Sequence, residues 1–335
     1  MVTPPPLRIV YFGTPEFAVP TLAALLKAPA STVVALVSQP DRPKGRGQRV
    51  AATPTKELAV LCGVRVLQPT KLRDDEFLSM IAALRPDLGV VAAYGRILPD
   101  ALLTIPRLGM INVHGSLLPK YRGAAPVHRA VIAGESVTGI TIMRVVKELD
   151  AGPMLASRTR PIGPDETSAE VERDLSEIGA SLLLTVVERL ARGEAVTETP
   201  QDDAEATYAP KILKTESPID WSLPAARIHN LVRGLQPWPL ASTSIGGVRC
   251  LIHRTALLSE GRAEALRYEE TTTGDKRPTT EPGAVVRAGG DRLTVAAGDG
   301  MLLDLVRLQP EGRRVMTARE FLSGHRVTPG VRLTS

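Results

Sequence analysis

An asparagine and a histidine two residues apart, Asn112 and His114, end a short apolar run (MINVH, 110–114) just before Gly115. Side chains alternate along a strand, so a strand here would point both at one face, where the glycine lets the chain turn. A carboxamide donor beside an imidazole can hold a carbonyl oxygen while its carbon becomes tetrahedral. Such a donor is typically worth about 10²–10³ in rate. The same pair also fits a buried polar couple satisfied by neighbouring backbone. A second candidate is Asp150, in ELDAGP (148–153). A carboxylate on a Gly-Pro turn could orient His114 or relay a proton from an amine, work worth about 10²–10⁴-fold. The alternative is an Asx-turn, and what separates the two is whether Asp150 meets His114.

Other chemistries find less support. His128, His229, His253 and His325 lack comparable company, and no His, Cys or carboxylate spacing suggests a metal site. No serine or cysteine has a base placed to activate it as a nucleophile. GTPE at Gly13 lacks the later glycines of a dinucleotide fingerprint, and the GRG of 45–47 lacks the ending of a phosphate-binding loop.

The elements that must position these residues follow from periodicity. Apolar runs at 7–12, 32–37, 64–67, 88–92 and 110–113 read as strands. Helical patterns at 15–27, 55–62, 74–85 and 98–104 separate them, which implies a mostly parallel sheet covered on both faces. Such sheets place ligands beyond the C-terminal ends of their strands. Further strands are expected at 139–145 and 154–161, with an antiparallel edge. A long helix follows, opened by Thr167 and Glu170 as a capping box. After a polar, acidic stretch come a short helix (225–235) and Gly-punctuated strands at 242–245, 248–253, 283–287, 292–296 and 301–308. The fold class is therefore α/β: a Rossmann-like N-terminal domain over 1–193, a linker over 194–213, and a small OB-like β-barrel over 214–335. Residues 259–282 read as a polar insertion.

The net charge of +5 is unevenly spread. The stretch 39–56 holds five basic residues (Arg42, Lys44, Arg46, Arg49 and Lys56) against one acid, Asp41. Residues 214–335 carry 17 basic against 13 acidic side chains. A basic loop on a near-neutral body points to a polyanionic partner. With aromatics at only 3%, phosphate contact is the better expectation than base stacking. Nothing at the N-terminus reads as a signal peptide, and no apolar run is long enough to predict a membrane span. The two cysteines, Cys62 and Cys250, read as core positions in a reducing, cytoplasmic setting.

Several motifs are familiar as a set. They are GTPEFA at Gly13, QPDRPKGRG at Gln39, AYG at Ala93, INVHGSLLP at Ile111, YRGAAP at Tyr121 and TGITIM at Thr138. IDWS at Ile219, PWP at Pro237 and GDG at Gly298 complete it. From Leu7 to Gly330, apart from 259–282, the chain resembles the methionyl-tRNA formyltransferase family of folate-dependent formyltransferases. The Asn-x-His, SLLP and Asp core is shared by such enzymes generally. The QPDRP loop and the C-terminal part point to the tRNA-directed branch. The resemblance implies catalysis by Asn112, His114 and Asp150, and folate contact by Ser116, Leu117, Leu118 and Pro119. It also implies tRNA contact by Arg42, Lys44 and Arg46, with the loop wedged at the acceptor end. The co-substrate would be 10-formyltetrahydrofolate, with no metal. The partner would be initiator methionyl-tRNA, and a monomer with no membrane association is expected. Alternative readings are a formyltransferase for a nucleotide or sugar amine, a formyltetrahydrofolate hydrolase, or a non-catalytic tRNA-binding protein.

Overall fold

The structure, a computed structural model, describes residues 5–44, 49–258 and 281–334. The chain divides into two compact units. Unit 1 is Met1–Pro126, Val137–Pro161 and Glu172–Pro210; unit 2 is Val127–Ser136, Ile162–Val171 and Lys211–Ser335.

Unit 1 is built on a seven-stranded sheet in the order β10-β9-β7-β6-β1-β2-β5. Its strands are β1 (Leu7–Gly13), β2 (Ser31–Val37), β5 (Val66–Leu67), β6 (Leu88–Ala92), β7 (Met110–His114), β9 (Val137–Arg144) and β10 (Met154–Pro161). The first five run parallel, whereas β9 is antiparallel to β7 and β10 to β9. β1 reads as an unbroken apolar run because it lies inside the sheet, with only Arg8 exposed. The chain builds outward from β1 through β2 to β5, then returns to the other side of β1 with β6 and β7. The strand order reverses between β1 and β6, the place where open α/β sheets take ligands.

Helices α1 (Val19–Lys27), α2 (Pro54–Leu61), α3 (Asp75–Ala83) and α4 (Asp100–Leu103) fill the crossovers. On one sheet face, Phe77 and Ile81 of α3 and Leu102 of α4 join Val10, Phe12, Tyr94 and Met110 in a buried cluster. Phe12 and Tyr94 meet edge to face at 5.7 Å. Met110 belongs to that face, so by alternation Asn112 and His114 point to it as well. Val113 faces the other way, toward Gly179 of the long helix α6 (Ser168–Ala191).

Two expectations from sequence differ in detail. The basic stretch is not wholly loop: β3 (Arg42–Lys44) and β4 (Arg49–Ala51) form an antiparallel hairpin. Cys62 is exposed, whereas Cys250 is buried. Its apolar neighbours misled, because Val60 and Leu61 are also exposed, at the outer C-terminal end of α2. The stretch 194–213 carries a short strand. β11 (Tyr208–Ala209) pairs in parallel with β8 (Arg122–Gly123).

Unit 2 contains a six-stranded antiparallel sheet, ordered β12-β13-β16-β15-β14 with β17 on β16. The strands are β12 (Ala241–Ile245), β13 (Val248–Leu257), β14 (Val285–Gly289), β15 (Arg292–Ala296), β16 (Leu302–Pro310) and β17 (Met316–Thr317). Bridges from Ser244 to Thr334 and from Ala284 to Arg332 join the two edges through the C-terminal segment, a barrel-like closure. α7 (Ala225–Gly234) and α8 (Ala318–Gly324) accompany it, together with most of α5 (Pro126–Ala133). Polar ties explain why 127–136 and 162–171 belong here. Arg129 forks onto Glu216 at 2.6 and 3.0 Å, and Ser168 Oγ donates to the carbonyls of Gly234 and Gln236. The expected capping box is present, with Thr167 N–H donating to Glu170 and Glu170 N–H to Thr167 Oγ1. Of the insertion at 259–282, only 281 and 282 fall among the described residues.

Candidate active site

β7 carries Asn112 and His114 to the C-terminal end of the parallel strands, with Asn112 beside Met143 and His114 beside Thr141 of β9. His114 is 5% exposed, and each of its ring nitrogens faces an acceptor. Nε2 lies 3.0 Å from the Tyr121 carbonyl oxygen, so it is the N–H donor of that bond. Nδ1 lies 3.6 Å from Asp150 Oδ2. Asp150 therefore does meet His114, from a turn after β9. Asn112 is only partly buried, and its carboxamide has no hydrogen-bond partner among the described residues. Its two N–H donors are uncommitted among the described residues, two positions from His114 on the same strand.

Two turns bring these groups together. The first follows β7. Thr141 Oγ1 donates to the Ser116 carbonyl at 2.8 Å and accepts from Leu118 N–H at 3.2 Å, pinning the SLLP segment to β9. Ser116 is fully buried and its hydroxyl is engaged by Lys120 O at 2.6 Å; Leu117 and Pro119 are partly exposed and Leu118 is buried. The turn continues through Tyr121, at φ +62°, to Gly123, whose N–H donates to Asp150 Oδ2 at 2.9 Å. Gly123 has φ +122°, and a Cβ there would lie 2.8 Å from Ala209 O. The second turn holds Asp150 at φ +49°. It also needs its glycine, because a Cβ on Gly152 would come within 2.0 Å of Arg144 O. Left-handed backbone at Tyr121 and Asp150 is the kind of local strain that gathers at working sites.

The basic hairpin is rooted at the neighbouring strand end. Arg42 is exposed, and its guanidinium donates to Gln39 Oε1 at 3.1 Å. Gln39 Nε2 in turn donates to Tyr94 O at 2.7 Å. Gln68 Nε2 donates to Gln39 O and Asp41 Oδ1, and Lys56 pairs with Asp41. The Lys56 hydrogen bond, with help from Gln68, holds the Asp41 carboxyl below its ordinary range. Lys44 ends β3, and Arg46 lies outside the described residues. Among the described residues no group of three or more His, Cys, Asp or Glu side chains could hold a metal ion. None of the helices described is long and apolar enough to cross a membrane.

The chain is similar to known formyltransferases along both of its parts. The formyl transferase family profile matches residues 7–187, and the formyl transferase C-terminal domain profile matches 211–326. A methionyl-tRNA formyltransferase of Trichlorobacter lovleyi is 44% identical over 326 residues, 97% of this chain and 96% of that protein. One of Desulfotalea psychrophila is 45% identical over 321 residues, 96% and 94% of the two chains. The chain belongs to the methionyl-tRNA formyltransferase family.

Among solved structures, an N-formyltransferase from Helicobacter canadensis, in complex with folinic acid and dTDP-3-aminofucose, aligns with a TM-score of 0.63. It covers 91% of this chain and 99% of that one at 16% identity, a likeness of fold. In this member of the methionyl-tRNA formyltransferase family, sequence reasoning missed Thr141, Tyr121, Gln39, Gln68 and Lys56. Tyr121 acts through a backbone carbonyl, for which side-chain type gives no signal. Thr141 was legible only through strand register, since it faces His114 across the β7–β9 pair.

Proposed function

We infer that this chain transfers the formyl group of 10-formyltetrahydrofolate to the α-amine of initiator methionyl-tRNA, with Asn112, His114 and Asp150 as the catalytic residues. The observation that carries the assignment is the His114 imidazole set between the Tyr121 carbonyl and the Asp150 carboxylate, beside an unpartnered Asn112 amide. Because Nε2 is committed to Tyr121, Nδ1 is the nitrogen that faces the reaction. Its 3.6 Å separation from Asp150 exceeds a hydrogen bond, so an Nδ1–H can be shared with an incoming oxygen.

The amine nitrogen attacks the formyl carbon and a new C–N bond forms. Asn112 N–H and His114 Nδ1–H stabilise the oxyanion. Asp150 accepts the proton lost by the amine, the bond from the formyl carbon to the folate nitrogen breaks as the oxyanion reverts to a carbonyl, and Asp150 returns the proton to that nitrogen. No covalent intermediate on the enzyme is needed. Residues Ser116, Leu117, Leu118 and Pro119 line the approach of the folate in this reading, supported by the way Thr141 fixes their turn beside His114.

Arg42 and Lys44 of the hairpin, together with Arg46, which lies outside the described residues, contact the tRNA, a role that the exposure of Arg42 favours. We propose a functional division into a catalytic domain over 1–193 and a linker over 194–213 before a tRNA-binding domain over 214–335, although the segments 127–136 and 162–171 belong to the second compact unit. The chain works as a monomer in the cytoplasm, where its two free cysteines would remain reduced.

The test is incubation with charged initiator tRNA and formyl-folate, followed by mass analysis of the released amino acid. Formylmethionine is expected. Formate release without acceptor, or formylation of a sugar or nucleotide amine in its place, would overturn the assignment.

A further inference from the structure

Downstream of α6, in the stretch that sequence alone marks as linker, the chain returns to the site. Thr199 pairs with Met154 through two backbone hydrogen bonds of 2.8 and 2.9 Å. Two residues later, the Gln201 side chain reaches both turns that assemble the catalytic pair. Its Nε2 donates to the carbonyls of Asp150 at 2.8 Å and Gly152 at 2.7 Å. Its Oε1 accepts from Nε of the buried Arg122 at 2.9 Å, and Arg122 continues to Asp203 at 2.7 Å. Further along, Thr207 Oγ1 accepts from Tyr121 N–H at 2.9 Å, and Thr207 O accepts from Arg122 N–H at 2.8 Å.

We propose that Gln201 is a positioning residue for formyl transfer, a clasp that fixes the Asp150 turn against the 121–123 turn. The inference rests on the reading above, that His114 and Asp150 act as a pair. Asp150 sits in left-handed backbone, which aspartate tolerates better than most L-residues but which still gains from neighbours that hold it. A primary amide suits the task because its N–H₂ group can serve the two carbonyls that this turn presents side by side. Its oxygen is left for the arginine behind the other turn. The two contacts that define the His114–Asp150 geometry, from Tyr121 O to the imidazole and from Gly123 N–H to the carboxylate, flank Arg122 in sequence. Releasing the clasp frees the 3.6 Å separation to drift while leaving every reacting group in place. Among the described residues Gln201 makes no hydrogen bond to the side chain of His114 or Asp150, so it acts through the turns.

The test compares the full-length chain with Gln201→Met, Gln201→Glu, Asp150→Asn and the Gln201→Met/Asp150→Asn double variant. The readouts are kcat in single turnover, KM for each substrate, and thermal unfolding. Gln201→Met keeps length but removes every hydrogen bond. Gln201→Glu keeps the acceptor for Arg122 and removes the donors, so it still reports if the methionine variant folds poorly. Both should lose about tenfold or more in kcat, as expected for a displaced catalytic group, with KM values within about twofold of wild type. On the Asp150→Asn background the Gln201→Met loss should shrink to about twofold or less, because the clasp works through that carboxylate. Wild-type kcat in both single variants, or a full loss repeated on the Asp150→Asn background, would overturn the proposal. An inactive Asp150→Asn beside a normal Gln201→Met sinks this inference alone, whereas a fully active Asp150→Asn sinks the catalytic reading and the clasp with it.

Discussion

Replacing Asp150 with asparagine isolates the charge from the geometry. Oδ2 is the atom that both accepts from Gly123 N–H at 2.9 Å and faces His114 Nδ1 at 3.6 Å. An asparagine oxygen can occupy that position and keep the Gly123 bond, so the turn should survive. What is lost, on the proposed mechanism, is the proton acceptor for the amine and the attraction between a carboxylate and the His114 ring as it stabilises the oxyanion. At 3.6 Å and an effective dielectric of ~20, that attraction is about 4.6 kcal/mol. The amide dipole restores part of it, and solvent screens part through the 15% of the Asp150 side chain that is exposed. Each ~1.4 kcal/mol is tenfold in rate, so kcat should fall about 10²–10³-fold. Rapid-quench formylation with both substrates saturating, read by mass analysis of the amino acid, measures it. KM values and thermal stability should hold near wild type. A natively folded Asp150→Asn protein that loses less than about fivefold would refute the electrostatic role.

Other consequences are simpler to check. Arg42→Ala should weaken tRNA use without affecting folate binding, and should reduce the slope of log affinity against log salt by about 0.7–0.9, as for one lost phosphate contact. An unchanged slope would count against contact by Arg42. Tyr94 is buried with a hydroxyl that has no hydrogen-bond partner among the described residues, and burial raises its pKa. Tyr94→Phe should therefore stabilise the protein by about 1 kcal/mol, the usual cost of an unsatisfied buried donor, and a lowered Tm would contradict this. The Glu320 carboxyl is held down to about 2, first by the Thr317 N–H and then by Arg314. Its folded pKa lies below the unfolded one, so its stabilisation is complete above the ordinary range near 4.5 and disappears as pH falls through about 2. An NMR titration with a midpoint near the ordinary value would show that the α8 cap does not form.

How much of this was legible in the sequence depends on where the information lies. The inner strands of unit 1 announce themselves because burial on both faces demands continuous apolar runs, as in LRIVYF of β1. The β3–β4 hairpin carries no such pattern. It pairs charged and proline-bearing segments, so only its backbone reveals it. The α8 helix was readable in principle, since Thr317 and Glu320 form a capping box just as Thr167 and Glu170 do. Asn112 and His114 were legible as a pair because strand alternation is local. That Asp150 meets His114 could only be posed as a condition, for it depends on how two turns far apart in sequence close on each other.

The closure itself is the least legible part and the most consequential. No single residue type marks Tyr121, Gly123 and Gln201 as belonging to one site, because each contributes through backbone atoms or an ordinary amide. Yet the proposed chemistry requires the imidazole and carboxylate to approach without collapsing into a closed ion pair, which would leave no Nδ1–H to share. The Gly123 N–H engages the same carboxylate oxygen that faces the imidazole, and Tyr121 O draws the opposite edge of the ring away. A second donor on Oδ2 and a second acceptor on Nε2 together explain a gap of 3.6 Å where an unrestrained pair would form a hydrogen bond. The two restraints come from one three-residue stretch, 121–123. A shift of that stretch should therefore change the catalytic separation before it changes the fold.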